Sequence, residues 1–547
     1  MIVVMLFLPM YSWDRYNVQM PTLISRLLSD AALCAVLAYA NLAIGCMLAN
    51  LSKGVARIWI GFAYMLVWAV SYVEVLMIKF FHARYAVFVL QVVDETSGKE
   101  TFEFFCGYFL SAKFAIITAG YICLFLILAV FLHRWMKKKE WFSSCSLTVF
   151  GCLFAYCIIA NCIFGINNAA IPFGQDSFSR LNSAYKGLLK QRESYRTADM
   201  HHLDIVVDSC KFSSPKIVLM IGESYIKRHS PLYGYKLPTT PYLSGLDSLY
   251  FFTDVITSVN TTTLAIRNML SLSSVGEGKE WYDSPYFMAF FKKSGYHVSY
   301  YSNQYPKGAI GVDGTFLDQP IMNQACFDFR NDKSYQYDGE LLDHLEKDRA
   351  KLEVGDHWLT IVHFMGQHMM SAERYPVSET YFTSDSIDRP DLSDAKRWEV
   401  AHYDNATRYN DAMVGRVIDM YRDQDVIFVY LADHGDEVYD FRDYAGRNYD
   451  LSCGADMLHC HIDIPFMIYA TPLYRERHPE IIKRIEQSVD NPFMSDDLPH
   501  LMFDIAGIYT QLYKPSKSPI NPLFDKSRKR LVGYDDKSDY DELCGNR

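Results

Sequence analysis

Val426–Glu437 reads VIFVYLADHGDE, six apolar or aromatic residues followed by a burst of acid and imidazole. A run this short, with no polar alternation, fits a strand buried on both faces. Working outward, Lys216–Ile221 (KIVLMI), Val298–Ser302 and Trp358–His363 have the same character. Helical patterns such as Tyr337–Asp348 and Ala406–Tyr421 separate them. Alternation of this kind predicts a parallel sheet covered by helices. In such folds reactive groups gather beyond the carboxyl ends of the strands.

The residues at those ends carry chemistry. Glu223 follows the first strand, within GES. Asp433, His434 and Asp436 follow VIFVYL. His363 ends one strand and His368 lies five residues on, in HFMGQH. Thr261, Thr262 and Thr263 follow a β-like run, Asp254–Val259, and precede a helical stretch. His459 and His461 stand in MLHCHIDIP. Singly, each has an ordinary explanation: a capped loop, a core histidine, a helix start. Together they fall where one sheet edge would collect them. Oxygen ligands with imidazole suit zinc, with manganese as the alternative. A bound metal would activate a threonine hydroxyl and stabilise charge on a phosphoryl group. A covalent phospho-threonine would then split one transfer into two steps. The triplet alone leaves open which threonine acts.

The rest of the 547-residue chain is of another kind. Apolar runs crowd its first third. Four are long enough to span a bilayer, near 31–49, 58–78, 114–132 and 144–165, and residues 1–11 form a shorter apolar segment. The basic stretch HRWMKKKE (His133–Glu140), with Lys53 and Arg57, places those loops in the cytoplasm and everything after Gly165 outside it. Glu74 sits inside a predicted span, near its outer end. Within Ser177–Arg192, Phe178, Leu181, Tyr185, Leu188 and Leu189 share one helical face, and Arg180, Lys186, Lys190 and Arg192 the other. The expected division is a transmembrane domain over 1–166, a linker with this amphipathic helix over 167–214, a catalytic domain over 215–530 and a polar tail over 531–547. The net charge of −10 argues against nucleic acid as a partner. Of 13 cysteines, Cys210, Cys326, Cys453, Cys460 and Cys544 lie in the soluble part, and Cys453 and Cys460 are close enough in sequence to pair.

Ile221–Leu243 (IGESYIKRHSPLYGYKLPTTPYL), DHGDE, HFMGQH with RYP at Arg374–Pro376, and LHCHIDIP together resemble the bacterial membrane phosphoethanolamine transferases of the alkaline phosphatase/sulfatase superfamily. The resemblance implies an amino-terminal α-helical transmembrane bundle plus an α/β catalytic domain, an α/β/α sandwich in the periplasm, anchored in the inner membrane by several spans. It implies zinc, one ion or two, held by Glu223, Asp433, His434 and the nucleophile. The family's spacing to a hydrophobic pair and a Ser/Thr, here Met269, Leu270 and Ser271, selects Thr262. His368 and His459 match holders of a second metal or of the substrate phosphate. Asn303 and Lys307 match substrate-binding positions, and Thr96 and Glu100 a pair at the donor lipid. The implied reaction moves phosphoethanolamine from phosphatidylethanolamine to lipopolysaccharide core, lipid A or another glycan.

The sequence also departs from that pattern. Ser258 and Asn268 replace cysteines that flank the nucleophile in lipid A enzymes, and Val92 replaces an asparagine. LYGY…TTP resembles members acting on core sugars or other glycans. Phosphoglycerol transfer by a similar metal–threonine site is the alternative activity. A sulfatase would need Cys or Ser in a C/S-x-P-x-R context, but TTTLAIRNM has neither at the nucleophile and no proline.

Overall fold

The computed structural model describes residues 44–45, 47–95, 98, 101–102, 112–138, 177–197, 205–279, 281–304, 324–331, 333–442, 444–451, 454–534 and 537–545. The apolar segment 1–11, most of the run 31–49, the run 144–165, and Thr96, Glu100, Lys307 and Cys453 lie outside them. Cys460 is a buried free thiol. The chain divides into two compact units, one formed by residues 1–93 and 105–192, the other by 94–104 and 193–547.

In the first unit, α1 (Lys53–Phe81), α2 (Val87–Glu95), α3 (Ala112–Lys138) and α4 (Ser177–Thr197) are described. Among the described residues α1 is the one helix long and apolar enough to cross a membrane, and α3 holds a shorter apolar stretch, Phe114–Ile127. Ser52 caps α1, its hydroxyl accepting from Gly54 N, and His82 closes it in the left-handed region at φ 50°. The buried side of α1 is a stripe at helical spacing: Ala56, Ile60, Tyr64, Ser71, Glu74 and Ile78. Tyr64 stacks on Phe125 at 4.7 Å, and the Tyr72 hydroxyl lies 2.7 Å from Thr118 Oγ1. Those contacts run in opposite chain directions, so α1 and α3 are antiparallel.

Glu74 does not reach an aqueous interface. It is fully buried, and Arg180 of α4 donates to both its oxygens, Nε to Oε1 at 2.6 Å and Nη2 to Oε2 at 2.8 Å. This corrects the facial reading of α4. Arg180, Ala184 and Leu188 face inward, whereas Tyr185 and Leu189 are exposed. One paired carboxylate turns the helix, because an unpaired buried charge costs more than two exposed apolar side chains recover.

The second unit is built on a seven-stranded sheet. Its strands are β1 (Lys216–Gly222), β2 (Leu249–Phe251), β3 (His297–Ser302), β4 (Phe329–Asn331), β5 (Trp358–His363), β6 (Ile427–Ala432) and β7 (Phe466–Ala470). They lie in the order β2-β7-β6-β1-β5-β3-β4. The run from β6 through β4 is parallel, while β7 is antiparallel to both β6 and β2. Every residue of β5 and β6 is buried, so both faces of the sheet are covered. The covering helices include α5 (Thr262–Leu270), α6 (Phe287–Ser294), α7 (Asp338–Leu352), α8 (Asp394–Met420) and, later in the chain, α10 (Leu498–Ala506), whereas α9 (Ala455–Ile462) packs in a separate apolar cluster with Ile256, Met494 and Val532. Ile221 pairs with both His363 and Leu431, and Ser302 pairs with His363. This register sets Glu223, Asn303 and Asp433 on one edge.

Residues 531–547, read as a polar tail, are folded where described. β8 (Leu531–Val532) pairs with β9 (Ser538–Asp539), and α11 (Tyr540–Leu543) follows. Arg530 grips Asp541 twice, at 2.5 and 3.2 Å, and Asp254 at 2.5 Å. Asp541 is thus paired inside the fold, and Val532 and Tyr540 are buried.

Within Ile221–Leu243, His229 is buried between two carboxylates, with Nδ1 2.7 Å from Asp404 and Nε2 3.3 Å from Asp440. Tyr235 donates its hydroxyl to the other Asp404 oxygen at 2.7 Å. Burial opposes protonation of His229, but Asp440 and Asp404 outweigh it and lift the pKa from 6.5 to about 10. The folded value exceeds the unfolded one. The stabilisation is therefore complete below pH 6.5 and is lost as pH rises toward 10. Urea unfolding of the wild type should show declining stability across that window. His229→Gln should flatten the decline; an equal slope in both proteins would refute the assignment.

Candidate metal and phosphoryl-transfer centre

Glu223, Asp433 and His434 are all buried, and one ligand atom from each lies within 4.8 Å of the others. Two follow β6 and one follows β1, the adjacent central strands. Thr262 opens α5, and its hydroxyl lies 3.0 and 3.1 Å from the two Glu223 oxygens and 3.3 Å from His434 Nε2. Thr261, the preceding residue, makes no side-chain cap, so the amides of the first turn are left for another acceptor. The geometry thus brings together Glu223, Thr262, Asp433 and His434.

The local backbone explains why these groups converge. Asp433 Oδ1 accepts from Ser224 N at 3.0 Å and from His434 N at 2.7 Å, leaving Oδ2 buried without a hydrogen-bond partner. The Gly435 carbonyl lies 2.6 Å from His434 Nδ1, which fixes the proton there and leaves the Nε2 lone pair facing inward. A Cβ on Gly435 would overlap the Cys460 carbonyl, so only glycine lets this loop close on α9. Gly366, at φ 50°, lies against the Glu223 backbone, where a Cβ would come within 3.0 Å of its N and O. Gln367 N donates to Glu223 O at 3.0 Å, which ties the HFMGQH turn to the site.

The electrostatics ask for a cation. Burial, and then the neighbouring Glu223 charge, push the Asp433 carboxyl well up; burial also raises Glu223. Burial, and then Arg447, hold His434 well below the ordinary imidazole value, with His368 and His461 adding to the effect. His434 Nε2 lies 3.2 Å from Asp433 Oδ2 and 3.6 Å from Glu223 Oε1, so three lone-pair donors converge. Neutral imidazole, two carboxylates and a hydroxyl fit zinc.

Other candidates are placed differently. His368 is buried at the end of the HFMGQH turn. His363 is a neutral core histidine, lowered to about 3 by burial, with its Nδ1 3.2 Å from the Tyr300 hydroxyl. Asn303 has both ends of its amide engaged. It donates to Asp338 at 2.8 Å and accepts from Tyr335 N at 2.6 Å. Asp338 also accepts from Met365 N and Gly366 N, so this pair positions the HFMGQH turn. His459 faces away, toward Asp463 at 3.2 Å and the Tyr540 hydroxyl at 2.9 Å. His461, two residues on and so on the other side of α9, is the buried one; its Nε2 accepts from Asn448 N at 2.7 Å.

Sequence reasoning missed three neighbours. Gln304 Nε2 donates to the Phe364 carbonyl at 2.7 Å and lies 3.5 Å from Glu223 Oε2. Arg447 Nη2 lies 3.5 Å from Glu223 Oε1. The Tyr534 hydroxyl donates to Asn260 Oδ1 at 2.5 Å, just before the threonine triplet. Only the position of Gln304, directly beyond a strand end, offered a signal. Ser258 and Asn268, the positions that carry no cysteines, meet through a hydrogen bond, Asn268 Nδ2 donating to Ser258 Oγ at 3.0 Å.

A model of the sulfatase family matches residues 215–508. The chain belongs to the sulfatase family. The superfamily expected from the motifs is thereby borne out. Phosphoethanolamine transferase EptC of Escherichia coli (strain K12) is 27% identical to this sulfatase-family chain over 511 residues, covering 88% of it and 85% of EptC. The crystal structure of the C-terminal periplasmic domain of that species' EptC in complex with Zn covers 62% of this chain and 98% of that one, at 26% identity and a TM-score of 0.53. Lipooligosaccharide phosphoethanolamine transferase A of Neisseria meningitidis, an integral membrane protein, covers 94% of this chain and 97% of that one, with a TM-score of 0.62. At 16% identity that last likeness is one of fold. It extends the expected architecture, membrane helices plus an α/β domain, over nearly the whole chain.

Proposed function

We propose that this protein transfers phosphoethanolamine from phosphatidylethanolamine to a cell-envelope glycan or glycolipid, lipopolysaccharide core or lipid A among them, with Thr262 as nucleophile. The observation that carries the reading is the Thr262 hydroxyl held against Glu223 and His434 at the start of a helix. The names of the similar proteins support the transferred group. The four apolar runs of the sequence, among which α1 is described as a helix long enough to cross a membrane, support a lipid donor and an inner-membrane location with several spans, and the basic loops between the runs support a periplasmic catalytic domain.

Glu223, Asp433, His434 and Thr262 would hold zinc, which when bound lowers the hydroxyl pKa and stabilises phosphoryl charge. Thr262 Oγ displaces the diacylglycerol oxygen at phosphorus, so one P–O bond forms as one breaks. The threonine proton ends on diacylglycerol. An acceptor hydroxyl then displaces Oγ, and its proton restores the threonine. The uncapped first turn of α5 offers N–H donors to the phosphoryl oxygens. Cells with and without the protein, compared by mass spectrometry of lipid A, core sugars and glycans, should differ by one phosphoethanolamine on one acceptor. A phosphoglycerol increment, or no difference, would overturn the reading.

A further inference from the structure

We propose that Arg447 binds the phosphoryl group that passes through Thr262; this rests on the transfer reading above. An arginine beside a buried carboxylate is most often a structural ion pair, and this molecule shows how such pairs look. Arg180 meets Glu74 at 2.6 and 2.8 Å, and Arg528 meets Asp496 at 2.8 Å. Arg447 is different. Its Nη2 stands 3.5 Å from Glu223 Oε1 and 3.3 Å from Ser224 Oγ, longer than the 2.7–2.9 Å typical of a charge-assisted bond, and its other partners are the Tyr449 hydroxyl, to which it is hydrogen-bonded, and the charge of Asp436.

The backbone around it is fixed. Gly446 N donates to the Glu437 carbonyl at 2.8 Å. Asn448 N donates to His461 at 2.7 Å, and Asn260 Nδ2 to the Asn448 carbonyl at 2.9 Å. A loop pinned on both sides presents a guanidinium whose side chain keeps 18% of its surface open. The same carboxylate oxygen, Glu223 Oε1, is 3.1 Å from the Thr262 hydroxyl and 3.5 Å from Arg447. A tetrahedral phosphoryl group on that hydroxyl lies within reach of the guanidinium fork, whose planar donors match two phosphoryl oxygens. Arginine adds there the positive charge that an anionic phosphodiester requires beside two carboxylates.

The test uses the full chain in detergent, zinc-loaded, with inorganic phosphate and phosphoethanolamine as probes. Isothermal titration should show binding at least ~10-fold weaker in Arg447→Ala, with the zinc content unchanged, and partial recovery in Arg447→Lys. Affinity within twofold of wild type in both variants, or zinc lost in step with phosphate, would overturn the assignment. Transfer from phosphatidylethanolamine is assayed in parallel with the wild type. A wild type that binds phosphate through Arg447 but moves no phosphoethanolamine would refute the transfer reading and leave the phosphoryl site standing.

Discussion

Thr262→Ala should lower phosphoethanolamine transfer by four orders of magnitude or more, on the scale of about 10⁴–10⁶ seen when a covalent nucleophile is removed. Alanine is the best helix former, so α5 keeps its start, and the thermal midpoint should stay close to that of the wild type. Thr262→Ser keeps a hydroxyl on the same carbon and should retain activity, reduced because serine lacks the methyl that restricts its rotamers. Incubation with the donor alone should leave a phosphoethanolamine adduct on the peptide containing Thr262 in the wild type and none in the alanine variant. Transfer by Thr262→Ala at more than a few per cent of wild type would sink the nucleophile assignment. Thr261 and Thr263 serve as controls, since neither is placed against Glu223.

Removal of the metal should have a second large effect, felt in stability as well as activity. Two buried carboxylates and an imidazole lone pair point at one another, and Asp433 Oδ2 is left without a hydrogen bond. Leaving such a group unrelieved is costly. A divalent ion bound only by the folded state would add about 4 kcal/mol when present at a thousand times its Kd. Chelation should lower the thermal midpoint by several degrees and abolish transfer, and zinc should restore both. Glu223→Ala and Asp433→Asn should each reduce zinc per chain, measured by elemental mass spectrometry. A chelated protein that melts and works like the untreated one would exclude the metal.

Much of the site was legible because a parallel sheet turns sequence into position. Once KIVLMI and VIFVYL are read as adjacent buried strands, Glu223 and Asp433 must share an edge, and the register bears this out. The threonine triplet could be placed beside them, but only the resemblance to the transferases, through that family's spacing to Met269–Ser271, picked Thr262. Side-chain direction on short irregular pieces was not legible. His459 and His461 differ by two residues on an eight-residue helix, and composition cannot say which of them faces inward. Arg447 and Tyr534 sit in loops, without a period to announce them. Arg180 was misread because helical periodicity sorts residues by polarity, whereas a single buried partner, Glu74, outweighs that sorting.

The position of β1 at the centre of the sheet bears on how the protein is made. KIVLMIG is flanked by β5 and β6, and 209 residues of sequence separate Ser224 from its partner Asp433. During synthesis this apolar segment leaves the ribosome long before either neighbour exists. It must wait, unpaired, through the synthesis of most of the domain. Pairings this distant are slow to form and leave strand edges open to other chains. Expression yield of the α/β domain should therefore respond more to chaperone supply and translation speed than to substitutions at its surface.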